Sequence, residues 1–287
     1  MRVGHLMTWG ASLLCATLVD VQSDAATPSP GTAPDFSSAD MPWFPTTTEF
    51  GAPGSGPGPV TYDHAHPTIM RQFNLFGDVV ERPLQIANLN NPNLKPWVID
   101  FLKQRNEDRL AGKIRYASRA NCRPPGVPEF LIHGVGFQAI YFLQTPKEIV
   151  LINDGDRQVR HIYMNVVHSP NIVPSYFGES IGHYEDNELV VDTIGFNDRT
   201  FVDDRYSVPH TVQLHVIERF RFTQEAKMLE VDFTVDDPGA FNAPWSGIMR
   251  YRHPAAPQPL GEEVCAEETA AGFGHGFDVP TAVLADF

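Results

Sequence analysis

The chain has 287 residues, of which 42% are hydrophobic and 20% are charged. This composition predicts a folded protein with a substantial core and excludes disorder over most of the chain. The formal net charge is −14, which opposes binding to the phosphate backbone of a nucleic acid or to an anionic lipid surface. We therefore expect no nucleic-acid partner.

The first 26 residues have the pattern of a secretory signal peptide. Arg2 precedes a short apolar run that stops at Asp20, and a segment of small residues ends at Ala26. The run is shorter than the roughly 20 apolar residues that cross a bilayer. We expect a periplasmic or secreted protein that is not inserted in a membrane after cleavage, with a lipoprotein anchored at Cys15 as the alternative.

Two cysteines, Cys122 and Cys265, remain after such a cleavage. In an oxidising compartment two cysteines can form a disulfide. We predict that Cys122 and Cys265 pair, and two separate buried thiols are the alternative.

Proline and glycine are dense in residues 27–60, which predicts a flexible or draped tail. Residues 61–287 are expected to form a single β-rich domain, and its first part, 61–91, to be an extended arm. One helix is predicted at about 94–111, because prolines mark its start and Gly112 its end. Trp97, in this helix, is interpreted as a packing anchor.

From Phe130 onward, apolar and polar residues alternate with the period of two that is typical of β-strands. Short polar turns between several of these segments predict antiparallel neighbours. We expect a lipocalin-like antiparallel barrel, with a two-sheet sandwich as the alternative. The predicted strands cover 137–144, 148–153, 158–165, 178–184, 188–196, 211–222, 228–235 and 247–253.

Several motifs are shared with known sequences. Cys122–Pro128 has the sequence CRPPGVP, Ser180–Glu185 has SIGHYE and Leu189–Asp198 has LVVDTIGFND. With further segments between Asn88 and Cys265, these motifs resemble a large family of exported acidobacterial and proteobacterial proteins that has no assigned activity. The resemblance implies export and one β-rich domain, and it supplies no catalytic residue.

Two carboxylates, Asp192 and Glu218, each fall among the apolar residues of one strand face. A carboxylate on an apolar face is costly unless it is paired or protonated. Two such acids on one barrel lining could act as a general acid and a general base. A structural ion pair with an arginine such as Arg160 or Arg250 is the alternative, as is a bulge that turns Glu218 outward.

Among the histidines, His183 and His210 are our preferred general bases. The β-strand region contains no metal-binding spacing of histidines or cysteines, so we expect no metal and no cofactor. Ser180 lies in a G-x-S-x-G match, but a hairpin follows it instead of the strand-to-helix turn that a nucleophilic serine needs.

Two functional hypotheses follow. In the first, a small hydrophobic or aromatic molecule binds in a barrel pocket lined by strand aromatics. In the second, the protein is a cofactor-independent lyase, isomerase or hydrolase in which Asp192, Glu218 and a histidine serve as acid and base. The residues expected to contact a ligand are Tyr163, His161, Arg160, Phe196, Trp245 and Arg250.

Overall fold

The computed structural model describes residues 1, 33–38, 40–66, 69–73, 79–83, 85–111, 113, 122–132, 139–155, 157–223 and 228–262. Over these residues the protein is mainly β, with one α-helix, α1 (Pro96–Leu110), and a short 3-10 helix at Glu129–Leu131. The strands are β1 (Phe44–Pro45), β2 (Ile69–Phe73), β3 (Val79–Pro83), β4 (Ile140–Gln144), β5 (Glu148–Asn153), β6 (Val159–Met164), β7 (Glu179–Glu185), β8 (Glu188–Ile194), β9 (Phe201–Asp203), β10 (Val208–Pro209), β11 (His215–Thr223), β12 (Met228–Asp236) and β13 (Trp245–Arg252).

Nine strands form one sheet in the order β1-β13-β12-β11-β8-β7-β6-β5-β4. All eight strands predicted from the period-two pattern are present in it. The expectation of purely antiparallel pairing is wrong at one place, because β6 and β7 are parallel. The connection between them spans residues 165–178 and includes two prolines, so the chain returns to the same end of the sheet instead of forming a hairpin.

The N-terminal segment nearly closes this sheet into a barrel. β1 pairs with the last strand, β13. The neighbouring residue Trp43 exchanges two backbone hydrogen bonds, both 2.9 Å long, with Ile140 at the start of β4. The segment therefore links the two edge strands, which removes the unpaired backbone groups that an open edge would expose.

Residues 27–60 were predicted to be a flexible or draped tail. The described part of this range, 33–38 and 40–60, contributes aromatic side chains to the core. Phe36, Trp43 and Phe50 are buried in the main core, and the Trp43 indole N–H donates to the Phe36 carbonyl at 3.0 Å. Within residues 33–38 and 40–60 the chain packs against the core through these aromatic side chains. The density of proline was misleading because aromatic residues spaced among the prolines anchor the chain, while an extended backbone suits proline.

The predicted helix is confirmed as α1. It begins with Pro96 at its first position, where the missing N–H leaves no hydrogen bond unmade. Val98 and Leu102 are buried, and the Asn106 side chain both donates to and accepts from the backbone of Ala87 at 2.9 Å. Trp97 is not a packing anchor, since it is 42% exposed.

Several predictions concern residues outside the described ranges. Residues 2–32, which contain the predicted signal peptide, are among them. Cys122 is disulfide-bonded, but Cys265 lies outside the described residues, so their pairing stays a prediction. Among the residues that are described, no helix has both the length and the apolarity needed to cross a bilayer.

Candidate functional site

Asp192 and Glu218 lie on opposite faces of the sheet. In the β8–β11 ladder, Ile217 is opposite Asp192, and Glu218 is opposite Val191. Because successive strand residues point to opposite faces, Glu218 points into the barrel and Asp192 points outward. Glu218 is 0% exposed, whereas the Asp192 side chain is 35% exposed. The hypothesis that the two acids share one cavity is therefore wrong.

Glu218 is held in a buried polar network inside the barrel. Arg160 donates from Nη1 to Glu218 Oε1 at 2.9 Å and from Nη2 to Oε2 at 2.5 Å. The same guanidinium donates to the hydroxyls of Ser180 and Thr193, each at 3.1 Å. These partners satisfy both charges. The network is therefore a structural ion pair, which was the alternative to an acid–base role for Glu218. Ser180 belongs to this network and not to a nucleophile–base pair.

Asp192 belongs to a second cluster, on the outside of the sheet. Its Oδ1 is 2.9 Å from His215 Nε2 and 3.2 Å from His168 Nε2. The other ring nitrogen of His168, Nδ1, is 3.0 Å from Glu179 Oε1. Hydrogen bonds from the Ser169 hydroxyl and backbone N–H, with a smaller contribution from His168, lower the pKa of Glu179. Within the described ranges, no three His, Cys, Asp or Glu side chains are placed to hold a metal ion.

The outside of the barrel also carries an open cleft of about 510 Å³, here called the α1 cleft. Trp97 and Phe101 are one helical turn apart on α1 and form one wall. A pocket of this size is typical for a small organic ligand. The α1 cleft is lined by Trp97, Phe101, Asp198, Arg199, Thr200, Phe201, Pro209, His210, Thr211 and Val212.

His210 is the predicted general base that lies in this cleft. It follows β10, is 5% exposed, and packs its ring against Phe196. Its Nδ1 is 2.9 Å from the Thr211 carbonyl, so Nδ1 carries the proton and donates. In the neutral ring Nε2 therefore accepts a hydrogen bond from the Thr200 hydroxyl, at 2.8 Å. Burial lowers the pKa of His210, which favours this neutral form.

His183, the other preferred base, lies on the exposed outer face of β7 and not in the α1 cleft. The six residues expected to line a barrel pocket do not meet in one place either. Arg160, Phe196 and Trp245 are buried, His161 and Tyr163 are on the outer face of β6, and Arg250 pairs with Glu230 on the outer face of β13. A second cleft, of about 360 Å³, also lies outside the barrel, against the outer face of β11–β13.

A buried acidic cluster, which was not predicted from the sequence, lies where the 3-10 helix meets β9. Glu129 accepts a hydrogen bond from the Asp204 backbone N–H at 2.9 Å, and Asp203 pairs with Arg205 at 2.7 Å. Burial raises the pKa of Glu129 well above its ordinary value, and the nearby Asp203 and Asp204 raise it further. These acids fall in short segments between the main strands, where no alternating pattern marks them as buried.

Trp97 and Thr200 are cleft residues that the sequence interpretation also missed. Trp97 has the helical spacing of a core residue, and no local pattern in the sequence marks Thr200 as a site residue. Comparison of the chain with protein-family models, with curated proteins and with solved structures gives no match. The geometry of the molecule itself must therefore support any functional proposal.

Proposed function

We propose that the protein binds a small aromatic or apolar molecule in the α1 cleft. The observation that carries the proposal is the open cleft of about 510 Å³ with a 42% exposed tryptophan in its wall. The class of ligand is the one expected from the sequence, but the proposed site lies outside the barrel and not within it.

The chemistry of the lining supports this class of ligand. The Trp97 indole N–H donates to the Gly239 carbonyl at 2.8 Å, which holds the ring in place and leaves its faces for stacking. Phe101 and Phe201, whose ring centroids are 6.3 Å apart, extend the apolar wall. His210 and Thr200 supply polar atoms at one side. A ring-containing molecule with one hydrogen-bonding group matches this lining.

The proposal is tested by titrating the protein with the fluorescent probe anilinonaphthalene sulfonate. We expect Trp97→Ala to weaken binding at least about tenfold, equivalent to about 1.4 kcal/mol, because a tryptophan in a pocket wall commonly dominates binding. The matched control is Tyr163→Ala, which removes a 48% exposed aromatic side chain from the outer face of β6. Equal losses in the two variants would contradict a specific site in the cleft.

A second candidate is the acid–base enzyme, placed at the outer cluster instead of the barrel interior. Asp192 lies between His168 and His215, and a carboxylate that orients an imidazole is a common arrangement for a general base. Asp192→Asn should then abolish turnover of any compound that the protein transforms in a degradation screen, without loss of the fold. Glu185→Gln, a change to a neighbouring outer-face acid, is the control and should leave turnover unchanged.

We also propose that the chain is exported, that a signal peptide is removed near Ala26, and that Cys122 pairs with Cys265. The resemblance to a family of exported bacterial proteins remains part of this proposal. Intact-mass measurement on protein isolated from the periplasm tests it. Loss of the first 26 residues, together with the mass of one disulfide, is the expected result.

A further inference from the structure

The Thr200 hydroxyl is held against a histidine base whose orientation is fixed by a third group. Thr200 Oγ1 is 2.8 Å from His210 Nε2, and His210 Nδ1 donates to the Thr211 carbonyl at 2.9 Å. Asp237 in turn holds Thr211, accepting from its hydroxyl at 2.7 Å and from its backbone N–H at 2.5 Å. A hydroxyl that is hydrogen-bonded to a base, which is in turn hydrogen-bonded to an orienting group, is the arrangement of an activated nucleophile.

The surroundings of the pair fit a reactive site. Both side chains line the α1 cleft, so a ligand bound against Trp97 lies in the same space. A side-chain Cβ placed at Gly126 would be 2.7 Å from Thr200 Oγ1, so only glycine leaves the hydroxyl in position. Gly126 also has a φ of +82°, which other residues rarely adopt.

We propose that the α1 cleft hydrolyses small aromatic esters, with Thr200 as the nucleophile and His210 as the general base. This inference rests on the proposed binding function, since it names the substrate class and the reaction for that cleft. Asp198 and Arg199 are the charged residues in the cleft lining, and the proposal assigns the positive charge of Arg199 to the developing oxyanion.

The reaction needs no co-reactant other than water. Thr200 Oγ1 attacks the ester carbonyl carbon while His210 Nε2 takes the hydroxyl proton, which gives a tetrahedral oxyanion. The carbon–oxygen bond to the alcohol then breaks, and His210 returns the proton to the departing alkoxide. Water attacks the acyl-threonine with His210 again as base, the bond to Thr200 breaks, and the carboxylic acid leaves with Thr200 restored.

The experiment measures hydrolysis of p-nitrophenyl acetate and p-nitrophenyl benzoate by the full chain. Thr200→Val keeps the shape of the side chain and removes the hydroxyl, and His210→Gln removes the base. We expect each change to lower kcat by at least about a hundredfold, the scale of losing a general base. Thr200→Ser should retain activity, and Thr234→Val, a change on the outer face of β12, should leave it unchanged.

Further readouts separate a nucleophile from a structural hydroxyl. Wild type should release a burst of p-nitrophenolate, and acid-quenched protein should carry one acyl group on the peptide that contains Thr200. Hydrolysis should also fall as His210 is protonated at low pH. Full activity in Thr200→Val, an acyl group on another residue, or no hydrolysis by wild type would overturn the inference.

Probe binding distinguishes the failure of this inference from the failure of the proposed function. If ester hydrolysis is absent while Trp97→Ala still weakens binding of anilinonaphthalene sulfonate, the cleft binds and does not catalyse. If Trp97→Ala has no effect on the probe, the binding function itself fails.

Discussion

The barrel interior and the α1 cleft both bury a titratable side chain beside hydroxyl groups, yet they differ in what those groups face. Inside the barrel, Glu218 and Arg160 face each other and the hydroxyls of Ser180 and Thr193. In the cleft, His210 has one hydroxyl partner and borders about 510 Å³ of open space. A buried polar side chain whose hydrogen bonds and charge are all satisfied by neighbouring residues therefore stabilises the fold. A similar side chain that borders a cavity is a candidate for function.

The largest expected effect comes from breaking the interior pair. Glu218→Gln leaves the Arg160 guanidinium buried without its counter-charge, and such a change costs about 3–5 kcal/mol. The free energy of unfolding, measured by urea denaturation, should fall by this amount. The double variant Arg160→Met with Glu218→Leu should recover much of the loss, because it removes both charges. A small loss in the single variant would contradict the complete burial of the pair.

A smaller effect is expected from the pH dependence of stability in the cleft. Burial lowers the pKa of His210 below its ordinary value of 6.5, so below that pH the unfolded chain binds a proton that the folded chain does not. The contribution of the neutral His210 to the free energy of unfolding should therefore be fully present above pH 6.5. It should decrease as the pH falls from 6.5 through the lowered pKa. His210→Gln should weaken this decrease, as measured by thermal unfolding over a pH series.

The chain contains 11 histidines, so the comparison between wild type and variant is what isolates the effect of His210. The control is His183→Gln, because His183 is exposed on β7. If both variants follow wild type equally at low pH, the buried neutral state of His210 is wrong.

The smallest effect is expected at Asp192. Its side chain is 35% exposed, and partly exposed ion pairs contribute about 0.2–1 kcal/mol. Asp192→Asn should lower the urea-derived stability by no more than this, several times less than Glu218→Gln on the adjacent strand. Similar losses at the two positions would mean that Asp192 is buried and that the assignment of the sheet faces is incorrect.

Eight strands of the main sheet and the helix α1 were predictable because their signals are local. Apolar and polar residues alternate with a period of two in β4–β8 and β11–β13, and Pro96 marks the start of α1. The direction of β7 was not predictable, since a long connection is compatible with either parallel or antiparallel pairing. A barrel was expected, but the pairing of the segment around Trp43 with both edges of the sheet was not predicted, because Trp43 is a single aromatic residue in a segment rich in proline.

The candidate site was predicted only in part. His210 could be chosen because histidine is the side chain suited to proton transfer near neutral pH. The face of the sheet on which Asp192 lies could not be predicted from the sequence. Val190 shares its outer face and is itself only 6% exposed. Apolar residues thus occur on both faces of β8, and the pattern does not distinguish the inside from the outside.

From the sequence alone follow the mainly β fold, the helix α1 and the positions of eight strands of the main sheet, because backbone preferences and side-chain periodicity act over neighbouring residues. Only the tertiary structure decided that Glu218 and Asp192 are separated by the sheet and that Trp97, Thr200 and His210 meet in one cleft. A strand's periodicity states which residues share a face, but the packing of distant segments determines which face is buried and which side chains lie together.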